Sequence, residues 1–386
     1  YKQILLQHYN QGSRNYGAKD VSKMSCSSEG NSNCISSGDF ASWKQGDAQW
    51  GSTPMGSSGK TVSQIGCLAT SVAMLIAKSG VATDPSINPF NPGTFVEFLN
   101  KNGFTEIRSP KINFAGAEGG TNVFKLDYFG KQVYLAQSPQ FYKQMAMASG
   151  LERIFETGPV FRAEKSYTNK HATEFTGFDL EFSYIESFED VMKMEEELLA
   201  YALLKVKEAH GEEIKALYGQ EVIVPSLPFP RMKLIDVYRE LEERYGYKVP
   251  DELKGDLTTE AERMTKQLAR DKFNHEFLFV TDYDAKERAF YHMRDENGVP
   301  KGYDLIWRGC EITTGAQREH RYDVLKAQAE EKGLAEDVKF YLEFFKYGCP
   351  PHGGFGIGID RLTMLFLGLS IKEAMFLFRG PNRLEP

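Results

Sequence analysis

The sequence predicts a mixed α/β fold, of the α+β kind, from about residue 103 to the C-terminus. Phe178, Leu180 and Phe182 alternate with polar neighbours, and this period of two residues is typical of a β-strand. Ser187 and Asp190 have the spacing of a capping box, which predicts a helix running to about His210. Strands and long helices therefore alternate along this part of the chain.

Composition limits the classes of protein to which the chain can belong. The 386 residues are 41% hydrophobic, which allows one large domain or two. A net charge of -7 argues against bulk attraction to nucleic acid, so any polyanion site needs specifically placed Arg and Lys. No apolar run reaches the ~20 residues that cross a membrane. The chain begins at Tyr1 without a basic and apolar leader, so we expect a fragment or a processed form.

The texture of the chain changes along its length and predicts three parts. Residues 1–40 are rich in Ser, Gly and Asn and are predicted to be loop or poorly ordered chain. Residues 41–102 form a second segment, in which a helix begins just after Cys67. Residues 103–386 form the large domain. Cys26 and Cys34 could pair or remain free thiols, and the absence of CxxC spacing argues against a structural zinc site.

Residues 158–185 are predicted to form a strand, an exposed polar loop and a second strand. Arg162 and Glu164 are two residues apart, so we expect them to share one face of the first strand. An arginine on a rigid strand can bind a phosphate with two parallel hydrogen bonds. A surface ion pair between the two side chains is the alternative.

Residues 353–369 have the sequence GGFGIGIDRLTMLFLGL, which predicts a Gly-rich strand followed by a helix. Arg361 stands where a dinucleotide fingerprint requires glycine, and the chain ends before the further strand of that motif. The glycines would instead let a ligand approach the backbone closely, with Arg361 directed at it.

Residues 303–320 carry the carboxylates Asp304 and Glu311, followed by Arg318. Two hard oxygen ligands near phosphate-binding arginines suit Mg²⁺. A solvated acidic face is the alternative for this segment taken alone.

These segments, in this order, resemble the three motifs of the class II aminoacyl-tRNA synthetases. GFTEIRSPKI is similar to the first motif, FRAE with HATEF to the second and GIGIDR to the third. LAQSPQFYKQM and GAEGGTNVF resemble the aspartyl-tRNA synthetases of the archaeal type. The resemblance implies an antiparallel sheet flanked by helices, a cytoplasmic homodimer built around residues 103–112, ATP as a substrate, Mg²⁺ as a cofactor, and tRNA and L-aspartate as partners.

The resemblance also implies roles for individual residues. The implied catalytic residues are Arg162, Arg361 and Glu311. Those implied to bind L-aspartate are Glu118, Gln140, Lys143, Arg162, Asp179, Thr314 and Arg318. Those implied to bind ATP are Arg162, Ala163, Glu164, Lys170, His171, Ala172, Phe175, Glu311, Gly358, Ile359, Asp360 and Arg361, with Phe175 and Arg361 on opposite faces of adenine. The implied metal site consists of Asp304, Glu311 and Thr314.

Two positions bear on substrate choice and phosphate binding. Lys143 and Arg318 match the cations that receive the aspartate side chain, and two buried cations disfavour neutral asparagine by several kcal/mol. As a family, the asparaginyl-tRNA synthetases lack a lysine at the position of Lys143. Lys170 stands where relatives usually have arginine, so a phosphate contact there would lose the planar guanidinium.

The segment around QIGCLATSVAM resembles a different family, the papain-like cysteine peptidases of the bacteriocin-processing type. The resemblance implies Cys67 as nucleophile and Gln45 in the oxyanion hole. The downstream His and Asp partners are missing, since synthetase-like sequence occupies their place, so we expect a truncated and inactive piece. A buried cysteine at a helix start is the favoured role for Cys67. The abrupt junction suggests a recombinant or artificial chain.

Three functions follow from these observations, in decreasing order of support. The first is an aspartate–tRNA ligase catalytic domain that forms aspartyl-adenylate and charges tRNA. The second is a synthetase paralogue that uses the adenylate without charging tRNA. The third is a cysteine peptidase with a carrier domain, against which the missing His and Asp argue.

Overall fold

The structure is a computed structural model that describes Ser52 and residues 103–114, 122–165, 168, 170–375 and 377–384. The chain divides into two compact units, residues 1–106 with 205–213 and residues 107–204 with 214–386. The expectations for residues 1–102, including the pairing of Cys26 with Cys34 and the roles of Gln45 and Cys67, lie outside the described residues.

The elements follow one another in a mixed order of strands and helices. The strands are β1 (Thr105–Glu106), β2 (Ile112–Asn113), β3 (Lys125–Tyr128), β4 (Lys131–Leu135), β5 (Arg153–Phe161), β6 (Glu174–Ser183), β7 (Arg231–Lys233), β8 (Phe277–Thr281), β9 (Gly302–Trp307), β10 (Cys310–Gln317) and β11 (His352–Gly358). The α-helices are α1 (Gln140–Ala148), α2 (Phe188–Tyr218), α3 (Leu234–Tyr245), α4 (Thr259–Phe273), α5 (Tyr322–Glu331), α6 (Lys339–Phe345), α7 (Ile359–Leu367) and α8 (Ile371–Ala374).

A large sheet forms the centre of the second unit. Its strands from this unit lie in the order β5, β6, β11, β10, β9, β8, β7. All neighbours are antiparallel except β7 and β8, which are parallel. Strands β2, β4 and β3 form a separate three-stranded sheet, in that order. The predicted antiparallel sheet flanked by helices is therefore confirmed.

Strand β6 is buried on both faces, although its sequence alternates between apolar and polar residues. Leu180 and Phe182 are buried, and so are Asp179 and Glu181 between them. The carboxylates therefore face the interior of a site rather than solvent. Their burial requires partners, because an unpaired buried charge is costly.

The capping box predicted at Ser187 is confirmed. The Ser187 side chain accepts a hydrogen bond from the backbone N–H of Glu189, and Asp190 bonds back to the N–H of Ser187. The predicted end near His210 is wrong, since α2 continues to Tyr218. It ends where Gly219 adopts a left-handed conformation with φ 65°. Glycine is favoured there because it lacks the Cβ that strains this conformation.

Two further expectations concern the strands that border the site. Strand β5 ends at Phe161, so Arg162 and Glu164 follow the strand and do not lie on it as predicted. The backbone N–H of Arg162 nevertheless donates to the carbonyl of Thr173 at 2.9 Å, which keeps the segment beside the start of β6. The Gly-rich segment forms β11 and leads directly into α7, as predicted.

Apolar packing fixes the helices that carry side chains to the site. Helices α3 and α4 pack on β8 and β9 through a cluster that includes Val237, Leu241, Leu268, Leu278 and Ile306, all at most 2% exposed. Burial of such side chains stabilises the fold by about 1.5–3 kcal/mol each. Among the described residues, no helix is long and apolar enough to cross a membrane.

Glu195 of α2 is fully buried. The hydroxyl of Tyr303 on β9 donates to its Oε2 at 2.7 Å. Tyr303 in turn lies over Gly315 of β10, where a Cβ atom would come within 2.3 Å of the tyrosine ring. Burial raises the pKa of Glu195 to about 8, while the Tyr303 hydrogen bond acts in the opposite direction.

Glu195 should make the stability of the fold depend on pH. Its pKa is raised from 4.5 to about 8 on folding, so the folded state keeps a proton that the unfolded state releases. The associated stability is complete below pH 4.5 and is lost as pH rises towards 8, at about 1.4 kcal/mol per pH unit. Glu195→Gln should reduce the slope of stability against pH by about 1.4 kcal/mol per pH unit, as measured by urea unfolding between pH 5 and 8.

The matched control is Glu197→Gln, since Glu197 is exposed on the same helix. That variant should keep the slope of the parent protein. An unchanged slope in Glu195→Gln would show that Glu195 is not the group that holds the proton.

Candidate active site

A cleft on the large sheet collects side chains from several elements. It encloses roughly 930 Å³ of empty space, part of which is open to solvent. Its lining comes from α1, the segment after β5, strands β6, β10 and β11, and the start of α7. The cleft lies where these antiparallel strands meet, so residues far apart in sequence face one another.

Most of the residues predicted to bind a ligand line this cleft. The lining includes Gln140, Arg162, Glu164, Lys170, His171, Ala172, Phe175, Asp179, Glu311, Thr314, Arg318, Gly358, Asp360 and Arg361. Ala163, Ile359, Lys143 and Asp304 do not belong to the lining. Glu118 lies outside the described residues.

One end of the cleft combines an aromatic ring with two arginines. The guanidinium of Arg162 lies 5.4 Å from the centre of the Phe175 ring. Arg361 donates from Nη1 to the backbone carbonyl of Glu311 at 2.9 Å. Asp360 accepts a hydrogen bond from the backbone N–H of Thr176 at 2.7 Å, which fixes the start of α7 against β6. A flat ring flanked by cations suits a planar, anionic ligand such as a nucleotide.

His171 lies beside this aromatic end. Its Nε2 is 3.7 Å from a carboxylate oxygen of Glu164, and its Nδ1 contacts the Thr168 hydroxyl. Burial and the nearby Arg361 lower the pKa of His171, although Glu164 opposes them. His171 is therefore neutral at pH 7 and offers hydrogen bonds rather than charge.

The other end of the cleft is closed by a buried cluster of four charged residues, which we call the charge cluster. Lys143 Nζ lies 3.0 Å from Asp179 Oδ1 and 3.1 Å from Glu181 Oε2. Arg318 donates to Glu181 Oε1 from Nε at 3.0 Å and to the carbonyl of Gly354 from Nη2 at 2.8 Å. Glu181 thus bridges the two cations that the sequence assigned to the aspartate side chain.

The surroundings of the charge cluster fix its ionisation. Burial alone would raise the pKa of Glu181, but Arg318 and Lys143 outweigh burial and hold it below its ordinary value. Burial, with Arg318 and Arg288 nearby, lowers the pKa of His292 well below its usual range, so this histidine beside Arg318 is neutral. Glu181 therefore carries a negative charge at pH 7, between Lys143 and Arg318.

Glycine in β11 allows the cluster to lie against the strand. A Cβ atom on Gly356 would lie 2.8 Å from Asp179 Oδ1, and one on Gly354 would lie 2.4 Å from Glu181 Oε2. Any side chain at these positions would displace the carboxylates. The glycines therefore let side chains of the protein itself approach the backbone of β11. The sequence had suggested that they let a ligand approach it.

A pair of carboxylates lies on the neighbouring strands β9 and β10. Asp304 receives two hydrogen bonds from Arg288, at 2.9 and 2.6 Å. Thr314 stands opposite Asp304 in the sheet and its hydroxyl lies 2.9 Å from Asp304 Oδ1 and 3.4 Å from Glu311 Oε1. Arg288 therefore neutralises Asp304, which is 5% exposed.

Glu311 lacks such a partner among the described side chains that contact it. Burial raises its pKa to about 7, Asp304 adds to this effect, and Arg361 opposes it. Two neighbouring carboxylates and a hydroxyl fit a hard divalent cation such as Mg²⁺. The ionised form of one of these carboxylates, Glu311, is disfavoured, and a cation would supply the positive charge that stabilises it. No group of three or more His, Cys, Asp or Glu is placed to hold a metal within the described ranges. Mg²⁺ needs only one or two carboxylates when phosphate oxygens complete its shell.

Several side chains at the site were not predicted, among them Glu181, Arg288 and Glu262. Glu181 had a signal in the sequence, because it falls two residues after Asp179 and so shares a face of β6. Arg288 and Glu262 had none, since each pairs with a residue from a distant segment: Arg288 with Asp304, and Glu262 with Lys170 at 2.7 Å. Tertiary pairing of this kind leaves no local pattern.

Comparison with known proteins decides the family. The family of tRNA synthetases class II (D, K and N) matches residues 93–379. The chain belongs to this class II synthetase family. The match begins ten residues before the boundary expected at residue 103. The comparisons give no support to a peptidase relationship for residues 41–102.

The relatives of this synthetase chain include several aspartate ligases. It is 45% identical over 297 residues to the aspartate–tRNA(Asp/Asn) ligase of Aeropyrum pernix, covering 76% of this chain and 66% of the relative. It is 42% identical over 294 residues to the aspartate–tRNA(Asp) ligase of Pyrococcus abyssi, covering 75% and 66%. The synthetase chain therefore spans slightly less than two thirds of the length of these curated relatives.

Solved structures give the same fold but do not separate aspartate from asparagine. The aspartyl-tRNA synthetase of Entamoeba histolytica matches with a TM-score of 0.66 and 35% identity, covering 76% of this chain and 57% of that one. The asparaginyl-tRNA synthetase of Pyrococcus horikoshii, complexed with asparaginyl-adenylate, matches with a TM-score of 0.67 and 35% identity, covering 75% and 66%. The choice of amino acid must therefore be argued from the side chains of the cleft.

Proposed function

We propose that residues 103–386 are the catalytic domain of an aspartate–tRNA ligase, which activates L-aspartate with ATP and transfers it to tRNA. The observation that carries the proposal is the charge cluster of Lys143, Asp179, Glu181 and Arg318 at the closed end of the cleft. The names of the curated relatives support the same amino acid.

A count of charges favours aspartate over asparagine. With Asp179 assigned to the ammonium group of the substrate, Lys143 and Arg318 supply two buried positive charges and Glu181 supplies one negative charge, so a net charge of +1 faces the substrate side chain. The side-chain carboxylate of L-aspartate brings this sum to zero, whereas the neutral side chain of asparagine leaves +1. An uncompensated buried charge costs several kcal/mol.

The contacts of the cluster suggest how aspartate is held. Asp179 lines the cleft and accepts hydrogen bonds from the ammonium group of the substrate. Lys143 then no longer needs to pair with Asp179. Lys143 and Arg318 then share the side-chain carboxylate, while Glu181 remains between them and keeps both cations oriented. Gln140 completes the lining on the side of α1.

The opposite end of the cleft is proposed to bind ATP. Adenine stacks between Phe175 and Arg361, and Glu164 accepts from its amino group. Arg162, whose guanidinium lies 5.4 Å from the centre of the Phe175 ring, holds the α-phosphate next to the aspartate α-carboxylate. Thr314 and Asp360 complete the surroundings, with Asp360 fixing α7 to β6.

The reaction then requires positioning rather than covalent catalysis. The α-carboxylate of aspartate attacks the α-phosphorus of ATP, the bond to the bridging oxygen breaks, and pyrophosphate leaves. Arg162 and Arg361 neutralise the charge that develops on the phosphoryl oxygens. A hydroxyl at the tRNA 3′ end then attacks the aspartyl-adenylate and releases AMP.

Glu311, Thr314 and Asp304 would hold Mg²⁺ when it is bound. The ion supplies positive charge to the triphosphate and favours ionised Glu311. Asp304 would share its charge between the ion and Arg288, since Arg288 already binds both of its oxygens.

The proposed assembly is a cytoplasmic homodimer. Ile112 is 45% exposed and Phe114 is 74% exposed, next to the segment that resembles the first class II motif. Large apolar side chains exposed together are typical of protein interfaces.

The first prediction of this proposal concerns selectivity. The purified chain should exchange pyrophosphate into ATP with L-aspartate and at least about tenfold less with L-asparagine. Lys143→Met should raise the KM for aspartate by about tenfold or more, since it removes one of two cations, and should change the KM for ATP little. Lys326→Met, on the surface pair with Glu330, is the control and should behave as the parent.

Equal use of asparagine by the parent chain would overturn the assignment of aspartate. Exchange without charging of aspartate tRNA would instead support a paralogue that uses the adenylate for another purpose.

The second prediction concerns the metal. Glu311→Gln should lower pyrophosphate exchange by at least about a hundredfold, because an amide supplies weaker and uncharged ligation to Mg²⁺. Thermal unfolding without ligands should show that the variant is no less stable than the parent, because burial disfavours the ionised form of Glu311. If Glu311→Gln exchanges pyrophosphate at the parent level over a titration of Mg²⁺, Glu311 is not a ligand of the metal.

The third prediction concerns assembly. Sedimentation velocity at micromolar concentration should show a dimer, and Phe114→Asp should shift it to monomer, because a charge at an apolar interface is unfavourable. Phe129→Asp, at a residue that is 89% exposed on the β3–β4 turn, is the control. A parent chain that is monomeric and active would contradict the dimer.

A further inference from the structure

Glu262 connects two parts of the proposed ATP site that lie far apart in sequence. Lys170 Nζ contacts both of its carboxylate oxygens, at 2.8 and 2.7 Å. The backbone N–H of Glu311 donates to Glu262 Oε1 at 2.7 Å. Lys170 belongs to the segment before β6 and Glu311 lies on β10. A single carboxylate therefore holds the nucleotide-binding segment and the strand that carries the metal-ligand candidate.

Helix α4 gives Glu262 a fixed position. Thr258 caps the helix by accepting a hydrogen bond from Ala261 N–H, and Ala261, Thr265 and Leu268 are at most 1% exposed. Glu262 itself is 8% exposed. A carboxylate that is anchored on a packed helix and held by a backbone amide cannot easily follow Lys170 if that lysine moves.

Lys170 and Glu262 also form a matched pair in chemistry. The ammonium group of Lys170 meets both oxygens of one carboxylate, and its side chain is 24% exposed while that of Glu262 is 10% exposed. A partly buried pair with two short contacts is stronger than a surface pair. Without Lys170, Glu262 would be a poorly compensated carboxylate beside the backbone of Glu311.

We propose that Glu262 is a positioning residue for ATP, which anchors Lys170 and thereby holds the segment carrying His171 and Phe175 in register with Glu311. This inference rests on the proposed function, because it assumes that the cleft binds ATP. In this arrangement Lys170 is used as a structural cation, and the phosphates are bound by other residues. The structural use of a point charge also accounts for a lysine where relatives usually have arginine.

The test is a double-mutant cycle on the KM for ATP in pyrophosphate exchange. Glu262→Gln keeps an oxygen for the N–H of Glu311 but removes the charge that holds Lys170. Glu262→Gln and Lys170→Met should each raise the KM for ATP about tenfold, with the KM for aspartate changed less than about twofold. The double variant should be no worse than either single variant.

Glu240→Gln is the matched control, because Glu240 accepts from Lys272 of α4 outside the cleft. It should leave both KM values unchanged, and thermal unfolding should report any general loss of stability. If Glu262→Gln leaves the KM for ATP unchanged or lowers it while Lys170→Met raises it, Lys170 binds phosphate itself and the proposal is wrong. Additive effects in the double variant would also overturn it.

Hydrogen exchange separates this proposal from the proposed function. Without any ligand, amides in the peptide covering residues 170–178 should exchange faster in Glu262→Gln than in the parent, and at the parent rate in Glu240→Gln. A chain that fails to exchange pyrophosphate with aspartate would contradict the aspartate ligase function and leave this result standing. Equal amide exchange in Glu262→Gln and the parent would refute the anchoring role of Glu262.

Discussion

The buried ion pairs of Glu181 are the interaction on which the arrangement of the site depends. Lys143 comes from α1, Glu181 from β6 and Arg318 from the residue after β10, so three elements meet at one carboxylate. Replacing one member of such a group leaves a buried charge without compensation, at a cost of about 3–5 kcal/mol. The same pairs that hold these elements together also set the charge that a ligand must balance. In the proposed function, structural stability and amino-acid choice therefore have a common origin.

The two ends of the cleft treat charge in different ways. At the charge cluster, carboxylates are paired and the pKa of Glu181 is lowered despite burial. At the other end, Glu311 is half-buried without a comparable partner, and its pKa is raised to about 7. The protein thus leaves the Glu311 carboxylate without a paired cation. The arginines at the same end of the cleft suit a phosphate. A divalent cation with a triphosphate supplies both charges at once, which is the physical basis for the proposed Mg²⁺ and ATP.

The fold and most of the lining residues follow from the sequence, but the pairing among them does not. The capping box at Ser187 and the Gly-rich strand before Arg361 are local patterns, and both appear in the structure. The end of α2 was missed because the helix continues through polar residues until Gly219 stops it. The partners Arg288 and Glu262 were missed because the sheet brings them to Asp304 and Lys170 from other segments. Local spacing carries no information about such contacts.

Glu181 shows why burial changes the meaning of a sequence pattern. In FDLEFS the alternation of apolar and polar residues suggests a strand with one face in water. Strand β6 lies between β5 and β11 in the sheet, and a polar face can be buried there only if opposite charges and small residues lie across from it. Lys143 and Arg318 provide the charges, and Gly354 and Gly356 on β11 leave the space. An alternating strand flanked by a Gly-rich neighbour is therefore consistent with a buried polar cluster within a sheet, because glycine leaves room for the side chains of the adjacent strand.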